Sequence, residues 1–322
     1  MGDSRSAAEA ALKPILVTGA TGFLGKHLVS QLQGPVRTMS RGSGGDVTMA
    51  PDVDRAVKGC RQIYHLAGFV SRNPADAEKM NRIHVEGTTL VLKSAQKHGV
   101  ERVVIASSSG TIAVSRAATV HTEESGYKNN ETALWPYYTS KIAEEKAAHE
   151  FYAKTQLPIV VVNPSLLLGP GDERGSSTGD VVNFLEGQVL SFPTGGLNFV
   201  DARDAAAGLI AAMERGRPGE RYLLGGVNWT CEQFLREVAK LSGRRPPMMA
   251  SPTWLSLLMA PILRKVIRKF TLDDQTIEMS GLFWYCDSSK AERELGFKTR
   301  GPLETLRDML EDIYSRRPEL RK

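Results

Sequence analysis

Through the first half of the chain, short unbroken apolar runs alternate with longer stretches whose apolar residues recur at helical spacing. Ile15-Leu16-Val17 predicts a buried strand, and Phe23, Leu24, His27, Leu28 and Leu32 follow with helical periodicity. Val36 to Ser40 is the next extended run, a helix is expected over roughly 52–58, and Gln62 to Leu66 again has strand character. Between 81 and 97 the apolar positions Ile83, Val85, Leu90, Val91, Leu92 and Ala95 predict a helix, with Gly99 as its stop. Val103 to Ala106 and Ile159 to Val162 are near-continuous apolar runs, the pattern of parallel strands covered on both faces. The alternation predicts βαβ units and therefore an α/β fold with a doubly wound parallel sheet. From Gly169 the texture changes to a Gly/Pro-rich loop, GPGDERGSSTGD, and to shorter elements. The expected organisation is a tail over 1–13, a first domain over 14–165 to which 198–226 returns, and a smaller lobe over 166–322.

Composition narrows this picture. The 322 residues are 41% hydrophobic and 24% charged, enough for a sizeable core with an appended lobe. No apolar run approaches the roughly 18 to 20 residues of a membrane span. The first 13 residues carry Asp3 and Glu9 and no apolar signal core, so they read as a frayed tail. Cys60, Cys231 and Cys286 are isolated, with no CxxC pair. Reduced, buried thiols, no metal site and a cytoplasmic location are expected. The net charge of +5 is concentrated: no acid stands between Glu237 and Asp273, whereas Lys240, Arg244, Arg245, Arg264, Lys265, Arg268 and Lys269 do. A basic segment in an otherwise slightly acidic chain argues against a nucleic-acid binder, which spreads its charge over a binding face.

Residues 15–25, ILVTGATGFLG, join the first strand to the first helix through Gly19, Gly22 and Gly25. Such a turn brings backbone N–H groups and a positive helix end up to a pyrophosphate, and glycine is needed where a Cβ would block the approach. The strand–turn–helix context makes it a dinucleotide site and the fold a Rossmann sheet. With its spacing of three and three, the chain resembles an extended short-chain dehydrogenase/reductase, in the dihydroflavonol reductase and hydroxysteroid dehydrogenase branch. The likeness runs from Pro14 to about Glu311, through YHLAG (64–68), VEGT (85–88), SSSGT (107–111), NPSLLLGPGD (163–172), NFVDARD (198–204) and DSSKAERELGF (287–297). It implies that Thr21, Phe23 and Leu24 join the glycines around the cofactor, that Ala67 and Gly68 pass under the adenine ribose, and that Pro164 adds a further cofactor contact.

The resemblance also bears on which nicotinamide is used. NAD-dependent relatives end the second strand in an acid; here Ser40 stands there, followed by Arg41, whose guanidinium suits a 2′-phosphate. NADP(H) is expected and NAD(H) is the less favoured alternative. Asp46 and Val47 would meet the adenine. Only RGSGG separates Ser40 from Asp46, whereas a parallel crossover with its helix takes at least about 10 to 12 residues. The third strand of the usual sheet is therefore expected to be reduced or missing.

Carbonyl reduction needs a proton donor at the oxygen and a hydride donor at the carbon. In WPYYTSK (135–141), Tyr137 and Tyr138 lie four and three residues before Lys141, so both share its helix face. The family pattern Tyr-x-x-x-Lys selects Tyr137 as the acid. Lys141 would favour the phenolate and hold the nicotinamide ribose, and Ser108, with Ser107 and Ser109 as local competitors, would orient the carbonyl. His84 stands where the family has an Asn associated with a relay water, as a polar substitute or as packing; His65 reads as structural.

For the substrate, the position of the diphosphate-gripping arginine of nucleotide-sugar epimerases is Leu197. In PTWLSLLMAPILRKVIRKF (252–270) a broad apolar stripe ends in basic residues, with Pro261 as a kink. It predicts a lid on the lobe, a wall for a lipophilic substrate, or a surface for peripheral contact with anionic membranes. The resulting expectation is an NADP(H)-dependent reductase of a bulky apolar ketone or aldehyde, with homodimer formation left open. The alternatives are a nucleotide-sugar epimerase or dehydratase holding NAD tightly, and a cofactor-sensing protein without turnover.

Overall fold

The computed structural model describes residues 13–267, 270 and 272–321; the expected tail, Arg268, Lys269 and the last residue fall, wholly or nearly so, outside them. Strand β1 (Ile15–Thr18) turns at Gly19 into helix α1 (Phe23–Gln31), and β2 (Val36–Met39) follows. A single 3₁₀ turn at Arg41–Ser43, capped by Ser40, then leads directly to α2 (Ala50–Val57) and β3 (Gln62–His65). The sheet runs β2-β1-β3 and continues through β4 (Arg102–Ala106), β5 (Ile159–Pro164) and one later strand, with every pair parallel. β2 is therefore the edge, and among the described residues no strand lies beyond it, as the five-residue spacing requires. Arg37 of β2 donates to the Ala56 and Lys58 carbonyls beside this edge, which blunts it against stray pairing.

Alternation along the strands sends side chains to two cores. Val17, Val104 and Val160 pack on one face, whereas Leu16, Ile63, Val103 and Ile105 pack on the other with Val53 and Val57 of α2. The helix expected over 81–97 forms as α3 (Ala77–Asn81) and α4 (Gly87–Lys97), joined by a π turn at Arg82–Glu86. The wider turn carries the buried His84, and such turns gather at functional sites. Helix α5 (Pro136–Thr155) starts with proline at its first position, where no amide is needed.

After β5 the chain enters β6 (Leu166–Leu168), α6 (Gly179–Leu185) and β7 (Gly196–Asp201). Helix α7 (Ala202–Arg215), capped by the Asp201 carboxylate, and β8 (Arg221–Leu224) return to complete the six-stranded sheet. The rest comprises β9 (Val227–Thr230), α8 (Cys231–Ser242), α9 (Thr253–Val266), α10 (Asp274–Ser280), β10 (Phe283–Trp284), α11 (Ser289–Leu295) and α12 (Pro302–Arg316). β7 organises the lobe by pairing with β6, β9 and β10. All three cysteines are buried and unbridged.

Candidate active site

The turn after β1 closes one end of a cavity of about 1190 Å³, larger than the roughly 300–1,000 Å³ that one small ligand takes. Backbone forms this end. Gly19 has φ +71°, and a Cβ there would stand 2.6 Å from the Leu66 carbonyl; at Gly25 it would stand 2.3 Å from Gly19 O. Thr21, Gly22, Phe23, Leu24 and Gly25 line the cavity with Gly19, and Arg41, Gly68 and Pro164 join them. A glycine cradle at the positive end of α1, with a guanidinium nearby, fits a dinucleotide phosphate. Asp46, Val47 and Ala67 stand outside the lining. The Asp46 carboxylate accepts from the Thr48 amide and hydroxyl, which hold its pKa below the usual range. Val47 packs at Gly87, and the Ala67 amide donates to Thr18 Oγ1 at 3.2 Å.

Ser108, Tyr137 and Lys141 meet on the same cavity wall. Burial, reinforced by the Glu144 charge, pushes the pKa of the Tyr137 phenol up, and the neighbouring Ser108 side chain opposes that shift. Ser108 Oγ also accepts from the Gly110 amide at 3.3 Å. Ser107 is committed elsewhere: it donates to the buried Glu145, which also receives Thr111 and Asn163. The two tyrosines part company. Tyr137 has the His84 ring edge-on at 5.8 Å, whereas Tyr138 sits 5.1 Å from Trp284 and 6.2 Å from Trp135, close over Gly110.

The lysine departs from expectation. Its ammonium donates to Glu144 Oε2 at 2.6 Å and to Ala106 O at 2.9 Å, so its charge is answered by a buried carboxylate three residues on. Both positions share a helix face, and burial favours pairing the two charges with each other. Glu144 continues the chain inward. Thr88 Oγ1 donates to Glu144 Oε1 and accepts from His65 Nε2, both at 2.9 Å; His65 Nδ1 then accepts from Thr18 Oγ1 at 2.8 Å. His84 Nε2 accepts the Phe69 amide at 3.0 Å, and its Nδ1–H donates to Ser140 Oγ, which in turn donates to Tyr137 O. Burial, with the Lys141 charge, lowers the pKa of His65 to about 3 and of His84 to about 2, so both rings are neutral. His84 thus acts as a polar bracket with both nitrogens engaged, leaving neither for a relay water.

Residues 15–225 match the NAD dependent epimerase/dehydratase family. The chain belongs to that family. It is 33% identical over 318 residues to the putative dihydroflavonol 4-reductase of Synechocystis sp., covering 91% of this chain and 92% of that one. Identity to sterol demethylase protein B of Methylococcus capsulatus is 30% over 312 residues, covering 87% and 92%. Among solved structures, gox2253 matches with a TM-score of 0.78 at 26% identity, over 96% of this chain and all of that one. The fold and the relatives make the chain an extended short-chain dehydrogenase/reductase and an NAD(P)-dependent oxidoreductase.

In this extended short-chain dehydrogenase/reductase the lobe lines the cavity with apolar side chains interspersed with Ser251, Thr253, Ser256, Gln275 and Ser280. Leu255, Met259, Leu263, Leu272, Met279, Leu282 and Trp284 line it, and so does Leu197, at the epimerase arginine position. Two features escaped the sequence reading. Glu144 was detectable in principle, as an acid one helical turn from Lys141. Arg72 forms a bidentate pair with Asp180 at 2.8 and 3.0 Å and donates to Thr276 Oγ1 at 2.8 Å, tying the loop after β3 to α6 and α10 across the cavity. No local signal links positions 108 residues apart.

Proposed function

We propose that the protein is an NADP(H)-dependent reductase that converts the carbonyl of a bulky apolar ketone or aldehyde to an alcohol. The observation that carries this reading is that Ser108, Tyr137 and Lys141 line the same cavity as the glycine turn and the apolar side chains of the lobe. Gly19, Gly22 and Gly25 would hold the pyrophosphate, and Arg41, on the same lining, the 2′-phosphate. The reduced nicotinamide, when bound, supplies the hydride to the carbonyl carbon.

The chain's own residues manage the oxygen. Ser108 donates to the carbonyl oxygen and fixes its position beside the Tyr137 phenol. Tyr137 gives its proton as negative charge develops on that oxygen. Its raised pKa keeps the phenol protonated at neutral pH, as the reductive direction needs. Lys141 would hold the ribose, anchored by Glu144 and the Ala106 carbonyl. Ser40 in place of an acid and Leu197 in place of an arginine support reduction over the epimerase reading, and three unbridged buried thiols support a cytoplasmic setting.

The test is to follow NADPH and NADH absorbance with purified protein against aromatic, steroidal and long-chain ketones. Oxidation of NADPH in preference to NADH by at least one of them is expected. No oxidation of either cofactor, together with copurified NAD, would establish the epimerase alternative instead.

A further inference from the structure

Helix α9 is held to the lobe by little. Of its 14 residues only Ala260 is buried, and its packing partners are Phe270, Leu272 and Ile277 beneath Leu257, Ala260 and Leu263. Pro261 removes an amide from its middle. The helix carries two apolar rows. Leu255, Met259 and Leu263, spaced by four, line the cavity. One position earlier, Trp254, Leu258, Ile262 and Val266 repeat the spacing and are 66%, 64%, 52% and 76% exposed. Met248, on the preceding loop, is exposed as well.

An amphipathic helix of a folded lobe needs only one apolar row, so folding does not explain the outer one. Charge decides what would cover it. No carboxylate lies between Glu237 and Asp273, and Lys240, Arg245 and Lys265 are exposed within that stretch. Arg264 is paired with Asp274 at 2.6 Å and Arg244 donates to Leu320 O, so these two serve the fold. A symmetric contact between two copies would set the same cationic segment against itself. An exposed apolar row that ends beside Lys265, in a stretch of sequence without acids, complements an anionic lipid surface.

We propose that the outer row of α9 docks on an anionic bilayer, with the inner row forming a wall one helix thick between lipid and cavity. The proposal goes beyond the reductase reading and does not depend on it. It is tested by flotation of the full chain with vesicles of phosphatidylcholine alone and of phosphatidylcholine with about 30% phosphatidylglycerol. Recovery with the anionic vesicles should be at least tenfold higher than with the neutral ones. The variant Trp254→Ser/Leu258→Ser/Ile262→Ser should lose at least tenfold of it while keeping the wild-type unfolding temperature within a few degrees. Absence of flotation, equal flotation with both vesicles, or a triple variant that floats like wild type would overturn the proposal. So would a wild-type dimer in analytical ultracentrifugation that the triple variant dissolves, because the row would then face a second copy.

Discussion

On the β1 side of the cavity, five buried side chains pass hydrogen bonds in sequence from Thr18 through His65, Thr88 and Glu144 to Lys141. On the opposite side, α9 buries a single residue and presents apolar atoms to the cavity and to solvent alike. The first wall is specified by polar satisfaction, which fixes tautomers and side-chain positions because any slip strands a buried donor or acceptor. The second is specified only by area, which many arrangements satisfy equally. Proton transfer needs atoms held within tenths of an ångström, whereas admitting a bulky apolar molecule needs a wall that can yield.

The largest effect lies at the fixed wall. Tyr137→Phe should lower kcat by about 10³-fold, within the usual range for a general acid, with NADPH affinity within about twofold of wild type. Tyr138→Phe should change kcat by less than about fivefold. If steady-state assays found Tyr138→Phe to be the inactive variant, the separation drawn from the aromatic contacts would collapse.

Glu144 comes next. Glu144→Ala leaves the Lys141 ammonium buried without its partner, and breaking such pairs costs about 3–5 kcal/mol, measurable by urea unfolding. Burial is the main cause of the raised Tyr137 pKa, and Glu144→Gln keeps the volume while removing the charge that adds to it. In the proposed reaction the protonated phenol is the donor, so turnover should decline as it ionises. In Glu144→Gln that alkaline decline in kcat should move to lower pH, and an unmoved profile would show that Glu144 acts only on stability.

The two neutral histidines give the fixed wall a pH signature. Their folded pKa values, about 3 and about 2, lie below the unfolded value of 6.5. Below pH 6.5 the unfolded chain therefore binds protons that the folded chain refuses, and stability falls with falling pH until the folded values are reached. Each ring contributes at most about 1.4 kcal/mol per pH unit in that window. Urea midpoints at pH 7, 6 and 5 should show the decline, and His84→Asn should make its slope shallower. The same slope in that variant would assign the decline to other groups.

Arg41→Ala belongs to the cofactor end of the same wall. Loss of a charge-assisted bond of about 1.5–3 kcal/mol should raise KM for NADPH at least about tenfold and leave NADH within about twofold. Equal effects on both cofactors would remove the 2′-phosphate assignment.

The two walls also differ in how far the sequence revealed them. Strand runs such as Val103 to Ala106 and the turn at Gly19 are local, and the missing edge strand follows from counting the residues between Ser40 and Asp46. Ser108, Tyr137 and Lys141 line one cavity. Glu144 was visible as a candidate partner of Lys141 but could not be selected, because Tyr137 and Glu144 both share its helix face and burial chooses between them. The clasp between Arg72 and Asp180 depends on a tertiary meeting that periodicity does not encode. In 252–270 the broad stripe was visible, yet its division into an inner and an outer row came only with the fold.

That division sets the smallest expected effect. Leu28, fully buried between α1 and the sheet, should cost about 2–5 kcal/mol when cut to alanine, through lost burial and the cavity left behind. Leu258 has the same side chain on α9 but is 64% exposed, so Leu258→Ala should change stability by no more than about 0.5 kcal/mol. Urea unfolding of both variants checks the pair. A loss above about 2 kcal/mol at Leu258 would mean that the outer row is covered within the folded protein, and the contrast between a fixed wall and a yielding one would fail at its thinnest point.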